Sequence, residues 1–321
     1  MRAILFEAPR KVRLIDDLPV PRLAEGEVLV QCTHVGLCGS NVGPYLGDGR
    51  WAEGVWPRPP GWMGHENVGP IVESRSEAWS EGTLVLAQSR DYHGFVEYIA
   101  CKPETVTRLP PTDDIGALVL AQPLATVLRA MSRVKPVVGE RCAVIGQGPI
   151  GLMFTYLLKR MGARQVIGID LVPWRLGWAQ RLGATDVIDA SHADVIEAVR
   201  ELTGGAMVDL CVEAAGATES LSTAAFLPRW QGRLCVFGVP HHDVQPFPWY
   251  YTTNNETEIL ISRGAGWTAF APTALEMVAG DGAALAEIVT PRLPWDRAAE
   301  AFEVSAFPGN HPDALKILLE L

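Results

Sequence analysis

The sequence predicts an α/β protein in which a β-rich unit is interrupted by a doubly wound parallel sheet built to hold a dinucleotide. Three observations carry this. Val144-Ile-Gly-Gln-Gly-Pro-Ile-Gly151 is a G-x-G-x-x-G set between an apolar run (Cys142 to Ile145) and a helix-like segment (Leu152 to Met161). A second apolar run, Gln165 to Ile169, then ends in Asp170. Near Gly116 the texture changes from short alternating runs punctuated by Pro and Gly to alternating strand and helix patterns, the mark of βαβ units.

Each element follows from its local pattern. Met1 to Phe6 and Val12 to Ile15 read as a hairpin, and Glu27 to Val35 alternates as a strand. Val68 to Glu73, Thr83 to Gln88 and Phe95 to Ile99 continue the β pattern, and Gly116 to Val134 is apolar at helical spacing. Val187 to Ile188, Val208 to Glu213 and Arg233 to Phe237 are the further strands of the parallel sheet. After Ser262 come a helix at Thr273 to Ala279, a β-like run at Ile288 to Leu293, a short helix at Arg297 to Phe302 and an apolar tail, Ala314 to Leu321. The expected division is a catalytic domain of residues 1–122 and 263–321 and a cofactor domain of residues 123–262, with substrate in the cleft between them.

The glycine motif has a physical reading at each position. Gly146 permits the tight turn, Gly148 lets backbone approach a pyrophosphate, and Gly151 lets helix and sheet pack closely. Pro149 and Ile150 open the helix, whose free N–H groups and positive dipole end face the phosphates. Asp170 lies 24 positions after Gly146, near the spacing of an acid that binds a ribose 2′-OH. Its charge repels a 2′-phosphate, so NAD(H) is expected over NADP(H). Arg175 either attracts that phosphate or stacks on adenine, and the stacking role is the expected one.

Composition narrows the function classes. The formal net charge of −10 argues against a polyanion such as nucleic acid as partner. No run of about 18 apolar residues is present, so no membrane span is expected. The N-terminus has too short an apolar run for a signal peptide. The six cysteines (Cys32, Cys38, Cys101, Cys142, Cys211, Cys235) are scattered without a C-x-x-C pair, which points to a reducing, cytoplasmic protein without a disulfide framework.

A second constellation adds chemistry. Gly36-Leu-Cys-Gly-Ser-Asn41 and Gly61-Trp-Met-Gly-His-Glu-Asn-Val-Gly69 offer a soft thiolate (Cys38), an imidazole (His65) and a carboxylate (Glu66), a reasonable zinc set. Taken singly, each has a plain structural reading: a buried thiol, a loop histidine, a surface acid. Together with the glycine motif, the chain resembles the zinc-dependent medium-chain alcohol dehydrogenases, in particular their polyol and sorbitol dehydrogenase-like branch. Gly94-Phe-Val-Glu-Tyr-Ile99, Glu213-Ala-Ala-Gly216, Val236-Phe-Gly238 and Leu293-Pro-Trp-Asp-Arg-Ala-Ala-Glu-Ala-Phe302 also match that family, so the resemblance spans almost the whole chain.

The resemblance implies a GroES-like catalytic domain joined to a Rossmann domain, and an NAD(H)-dependent oxidoreductase acting on a small alcohol or ketone: a polyol, sugar or cyclitol. It implies one catalytic zinc held by Cys38 and His65, with Glu66 a ligand or an immediate neighbour exchanging with water. Ser40 takes the place of the hydroxyl that passes the substrate proton outward, and Gly238 joins the cofactor contacts. It further implies a homodimer or homotetramer that pairs sheets through a late strand, here Glu258 to Ser262.

Three departures stand out. No cysteine lies in the segment where the family holds four for a structural zinc, so no structural zinc is expected. Gln122, in Ala121-Gln-Pro-Leu124, replaces the acid of the usual E-P-L as third protein ligand; its amide binds weakly, supports a water or leaves the site weakened. Asn41 replaces an Asp that would orient a ligand or a basic group. Trp51, Trp56 and Trp62 crowd the segment between the metal loops as a packed surface loop or as a wall of the substrate pocket, and Trp249, Tyr250 and Tyr251 form a second aromatic run at a subunit edge or the cleft. Two alternatives stay open at this level: a metal-free reductase of an alkene, imine or quinone on the same fold, and a non-catalytic NAD(H)-binding relative.

Overall fold

The computed structural model describes residues 1–240, 242–264, 266–280 and 283–321. They cluster into two compact units, one of residues 1–125 with 266–321 and one of residues 126–265.

In the first unit, β1 (Ala3–Ala8) and β2 (Lys11–Ile15) form an antiparallel hairpin whose turn sets Arg10 at φ 58. Next come β3 (Val28–Gln31), β4 (His34–Gly36), α1 (Val42–Leu46), β5 (Asn67–Ser74), β6 (Leu84–Ala87), β7 (Tyr98–Cys101) and β8 (Val106–Arg108). Helix α2 (Ala121–Val134) carries the chain across the division into the second unit.

The second unit alternates strand and helix: β9 (Arg141–Ile145), α3 (Pro149–Arg160), β10 (Gln165–Asp170), α4 (Pro173–Arg181), β11 (Asp186–Asp189), α5 (Val195–Leu202), β12 (Val208–Glu213), α6 (Thr218–Ala224), β13 (Pro228–Val236), α7 (Trp249–Asn254) and β14 (Glu258–Ile261). Its six strands are all parallel, in the order β11-β10-β9-β12-β13-β14. The order reverses at β9, so the turn after β9 opens at the switch point where doubly wound sheets bind ligands. Apolar residues such as Ile167, Val208, Cys211 and Leu234 fill the core of this unit.

The chain returns to the first unit with α8 (Ala271–Ala279), α9 (Ala283–Ala286), β15 (Arg292–Pro294), α10 (Ala298–Ala306) and β16 (Leu318–Glu320). The large sheet there runs β15-β16-β4-β5-β3-β7, with β6 bridging β5 and β8. Four rings centre its core. Phe302 lies 4.9 Å from Phe6, 5.2 Å from Phe95 and 5.6 Å from Tyr45 between ring centroids.

Several segments differ from their sequence patterns for identifiable reasons. The run Glu27 to Val35 is two strands rather than one. β3 pairs with the far half of β5 and β4 with its near half, and between them Cys32 and Thr33 leave the ladder, their amides donating to Glu97 O and Val68 O. Phe95 to Ile99 starts its ladder only at Tyr98, because the Phe95 backbone is already engaged by Gly61 and Ile4. The helix over Gly116 to Val134 is a tight 3-10 turn to Leu120 followed by α2. Pro123 sits in the first turn of α2, where its missing N–H costs nothing. The β-like run Ile288 to Leu293 is a strand only from Arg292, since Pro291 cannot donate to a ladder.

Phe302→Ala removes a fully buried ring that touches three others. Chemical denaturation should report a loss of about 3–5 kcal/mol. A loss under about 1 kcal/mol would mean that the four-ring cluster is not the core of this unit.

Candidate metal and cofactor sites

Cys38 follows the end of β4, and His65 and Glu66 precede β5, so the pairing of these two strands brings the loops together. The thiol of Cys38, a ring nitrogen of His65 and a carboxylate oxygen of Glu66 all lie within 4.8 Å of one another. Cys38 and His65 are half-buried and Glu66 is fully buried.

The two loops are locked by one carbonyl. Met63 O accepts from Nδ2 of Asn41 at 3.1 Å and lies 2.8 Å from Nδ1 of His65. Nδ1 therefore carries the proton in that contact, which turns Nε2 toward the Cys38 thiol as the nitrogen that could bind a metal. Oδ1 of Asn41 in turn accepts from the Cys38 amide at 2.9 Å. An aspartate could take the Cys38 amide but could not donate to Met63 O, so asparagine is the residue type that ties both loops. Ser40 is partly exposed in the turn Gly39–Asn41 beside Cys38.

Glu66 is also paired. The Lys316 ammonium, on a side chain only 2% exposed, contacts Oε2 of Glu66. Oε1 is buried with no donor among the described residues. Gly36 is required beside this pair, because a methyl group on it would overlap the Glu66 carboxylate. Lys316 was not legible as a site residue: it lies in the apolar C-terminal tail, far from both metal loops in sequence.

This donor set fits zinc. Thiolate, imidazole and carboxylate are its usual ligands, and the orphaned Oε1 is the atom a cation at this point would satisfy. Burial and the Glu66 charge push the Cys38 thiol up, but its hydrogen bond with His65, with the His65 and Lys316 charges, brings the net below the ordinary thiol range. Burial lowers the His65 imidazole, yet the Cys38 and Glu66 contacts raise it to about 9. Gln122 is buried at the start of α2, at 6% exposure, and no hydrogen bond joins it to the trio.

The glycine turn follows β9. Gly146 adopts φ +88, and a methyl on Gly151 would overlap the Gly146 carbonyl, so both positions require glycine. Gly148 caps α3, Pro149 is its first residue and Ile150 its second. The Gln147 amide donates to Oδ2 of Asp170 at 2.5 Å, and the Val172 amide to Oδ1 at 2.8 Å. Asp170 is thus oriented by backbone beside the turn.

Arg175 brings Nη1 to 3.8 Å from Oδ2 of Asp170, and its Nε is buried without an acceptor. Burial lowers its pKa against the pull of Asp170. Gln147 was missed by sequence reasoning because it occupies a variable position of the motif. Fully buried, it donates from Nε2 to Val144 O and accepts from Thr155, bracing the turn from beneath. Gly238 closes β13 against the Glu213-Ala-Ala-Gly216 turn, its amide donating to Glu213 O at 3.0 Å. Burial raises the Glu213 carboxyl although Ser220 and the amides of Ala215 and Gly216 bond to it.

No helix among the described residues is long and apolar enough to cross a membrane. Known proteins agree with this architecture. Residues 24–111 match the alcohol dehydrogenase GroES-like domain, and residues 149–280 match the zinc-binding dehydrogenase domain. The chain is 29% identical to sorbitol dehydrogenase of Bacillus subtilis (strain 168), with 81% of each chain covered. It is 25% identical to D-arabitol-phosphate dehydrogenase of Enterococcus avium, covering 95% of this chain and 92% of that one. Among solved structures, alcohol dehydrogenase TADH from Thermus sp. ATN1 superposes with a TM-score of 0.86 at 25% identity, covering 100% of this chain and 99% of the other. Two domain matches in the order of the fold, one spanning the trio of donors and the other starting at the last residues of the glycine motif, make this chain a member of the zinc-type medium-chain alcohol dehydrogenases, an oxidoreductase family.

Proposed function

We propose that the protein oxidises a secondary alcohol of the polyol class with NAD, using one zinc ion per chain. The convergence of Cys38, His65 and Glu66 within 4.8 Å carries the reading. The similarity to dehydrogenases of sorbitol and of arabitol phosphate supports the substrate class. Cys38, Nε2 of His65 and Glu66 would hold the ion, with Gln122 as a neutral further donor. Bound zinc would supply Lewis-acid polarisation of the substrate oxygen.

The chain's own groups do the rest. Asn41 and Met63 O keep the imidazole turned so that Nε2 faces the metal position. Ser40 accepts the proton released from the substrate hydroxyl and passes it outward. The Gly146–Gly151 turn and the N-terminus of α3 hold the pyrophosphate, and Asp170 accepts from the hydroxyls of the adenosine ribose. Bound NAD would supply the hydride acceptor, so that the carbinol gives up a hydride to the cofactor and a proton to Ser40 and leaves as a ketone. With no cysteine between Cys38 and Cys101, we assign no structural zinc. Six free cysteines, five of them buried, support the cytoplasm as the compartment.

Elemental analysis tests the metal. Cys38→Ser and His65→Ala should each lose zinc and turnover while NAD(H) titration is unchanged, since the glycine turn belongs to the other unit. Gln122→Glu should raise zinc affinity by about 10-fold, roughly 1.4 kcal/mol. A Cys38→Ser protein that is metal-free and fully active would end the zinc reading.

Cofactor choice is tested at Asp170. The wild-type protein should use NAD better than NADP, and Asp170→Ala should weaken NAD by about 10- to 100-fold while narrowing the gap. A wild-type preference for NADP would reverse the assignment.

Assembly is tested by light scattering. β14 is the end strand of its sheet, and Ile261 on it is 68% exposed. An apolar free edge is a liability in isolation, so we assign a homodimer or homotetramer through β14. A single-chain mass at micromolar concentration would refute it.

A further inference from the structure

Arg58 is a buried cation that pairs with no carboxylate among the described residues. Its side chain lies in the first unit, in the segment that links the two metal loops, and the residue is only 8% exposed. Among the described residues its guanidinium makes one hydrogen bond, from Nη2 to Trp51 O at 2.7 Å, and pairs with no carboxylate. Nε is buried and has no acceptor among the described residues. The guanidinium carbon stands 4.4 Å from the Trp56 ring centroid and 5.1 Å from that of Trp62, and Trp62 meets Trp51 edge to face at 5.2 Å. Gly54 has no side chain where the guanidinium packs, and a methyl there would overlap it.

Indole faces and one carbonyl offset only part of the cost of desolvating a full charge. An apolar residue of similar size would hold the loop without that cost. The cluster is tied to the metal trio through Trp62-Met63. The Met63 carbonyl is the acceptor shared by Asn41 and His65. Trp62 and His65 are three residues apart, at most about 11 Å of chain.

We propose that Arg58, framed by Trp51, Trp56 and Trp62, receives a terminal anionic group of the substrate, which is then a polyol bearing a phosphate or a carboxylate rather than a neutral polyol. This rests on the dehydrogenase reading above and narrows its substrate class. A guanidinium donates in parallel to the oxygens of either group. The carbinol to be oxidised sits at the other end of the same molecule, so the anion acts as a handle and takes no part in bond breaking.

The test compares kcat/KM for D-arabitol with D-arabitol phosphate, and for L-iditol with L-idonate, in zinc-loaded protein saturated with NAD. At least one anionic form should exceed its neutral parent by about 10-fold or more, and which pair separates tells phosphate from carboxylate. Arg58→Met should collapse that ratio by about 10- to 100-fold, and Arg58→Lys should restore part of it. A merely structural arginine would lower both members of a pair together.

A second measurement does not depend on turnover. With NAD saturating, inorganic phosphate or acetate should raise the melting temperature of the wild-type protein above a sodium chloride control of equal ionic strength, and Arg58→Met should abolish the shift. Neutral polyols preferred by the wild-type protein, or a ratio indifferent to Arg58→Met, would overturn the anion subsite and leave the dehydrogenase intact. If no alcohol is oxidised, the dehydrogenase reading fails, and the melting shift alone decides the subsite: present and dependent on Arg58, it stands; absent, it falls.

Discussion

A carboxylate with no exposure cannot be left alone, and Glu66 sets the terms for everything around it. The Lys316 ammonium meets one of its oxygens, and the other is left without a donor. Breaking such a pair by removing one partner typically costs several kcal/mol, because the remaining charge stays buried. The pair therefore draws the segment before β16 onto the end of β4 and demands glycine at position 36. The last strand of the chain thus helps to shape the metal loops.

Around this pair the site is a set of short ties. Asn41 joins the Cys38 amide to the Met63 carbonyl, and His65 uses the same carbonyl to fix its tautomer. The thiol and the imidazole are held facing each other, and their mutual interaction keeps the thiol below its ordinary range although burial opposes this. The exchange of aspartate for asparagine is consequently more than a lost charge: the amide supplies a donor that the geometry uses. The Arg58 cluster adds to the same loop a cation that, among the described residues, meets one carbonyl and two indole faces and no carboxylate.

The second unit follows a separate logic. A parallel sheet whose order reverses at β9 places the glycine turn, Asp170 and the Glu213 turn at strand ends. Two backbone amides orient Asp170, and Gln147 braces the turn from the buried side. The acid is directed by main chain, which makes its orientation insensitive to most substitutions nearby.

By itself the sequence determined the parts whose physics is local. The period of apolar residues identified the strands of the parallel sheet, and the glycine motif carried its own steric reasons. Cys38, His65 and Glu66 offered donor types of the right chemistry, and the resemblance of their motifs to a known family singled them out. Shorter features were less legible. α1 and α6 are too brief and α4 too mixed in pattern to stand out. The split of Glu27 to Val35 and the late start of the strand after Phe95 depend on partners elsewhere in the chain. Tertiary structure alone decided that Lys316 meets Glu66 and that Asn41 donates to Met63 O. Those are contacts between residues remote in sequence, and their energies arise only when folding removes water from both sides at once.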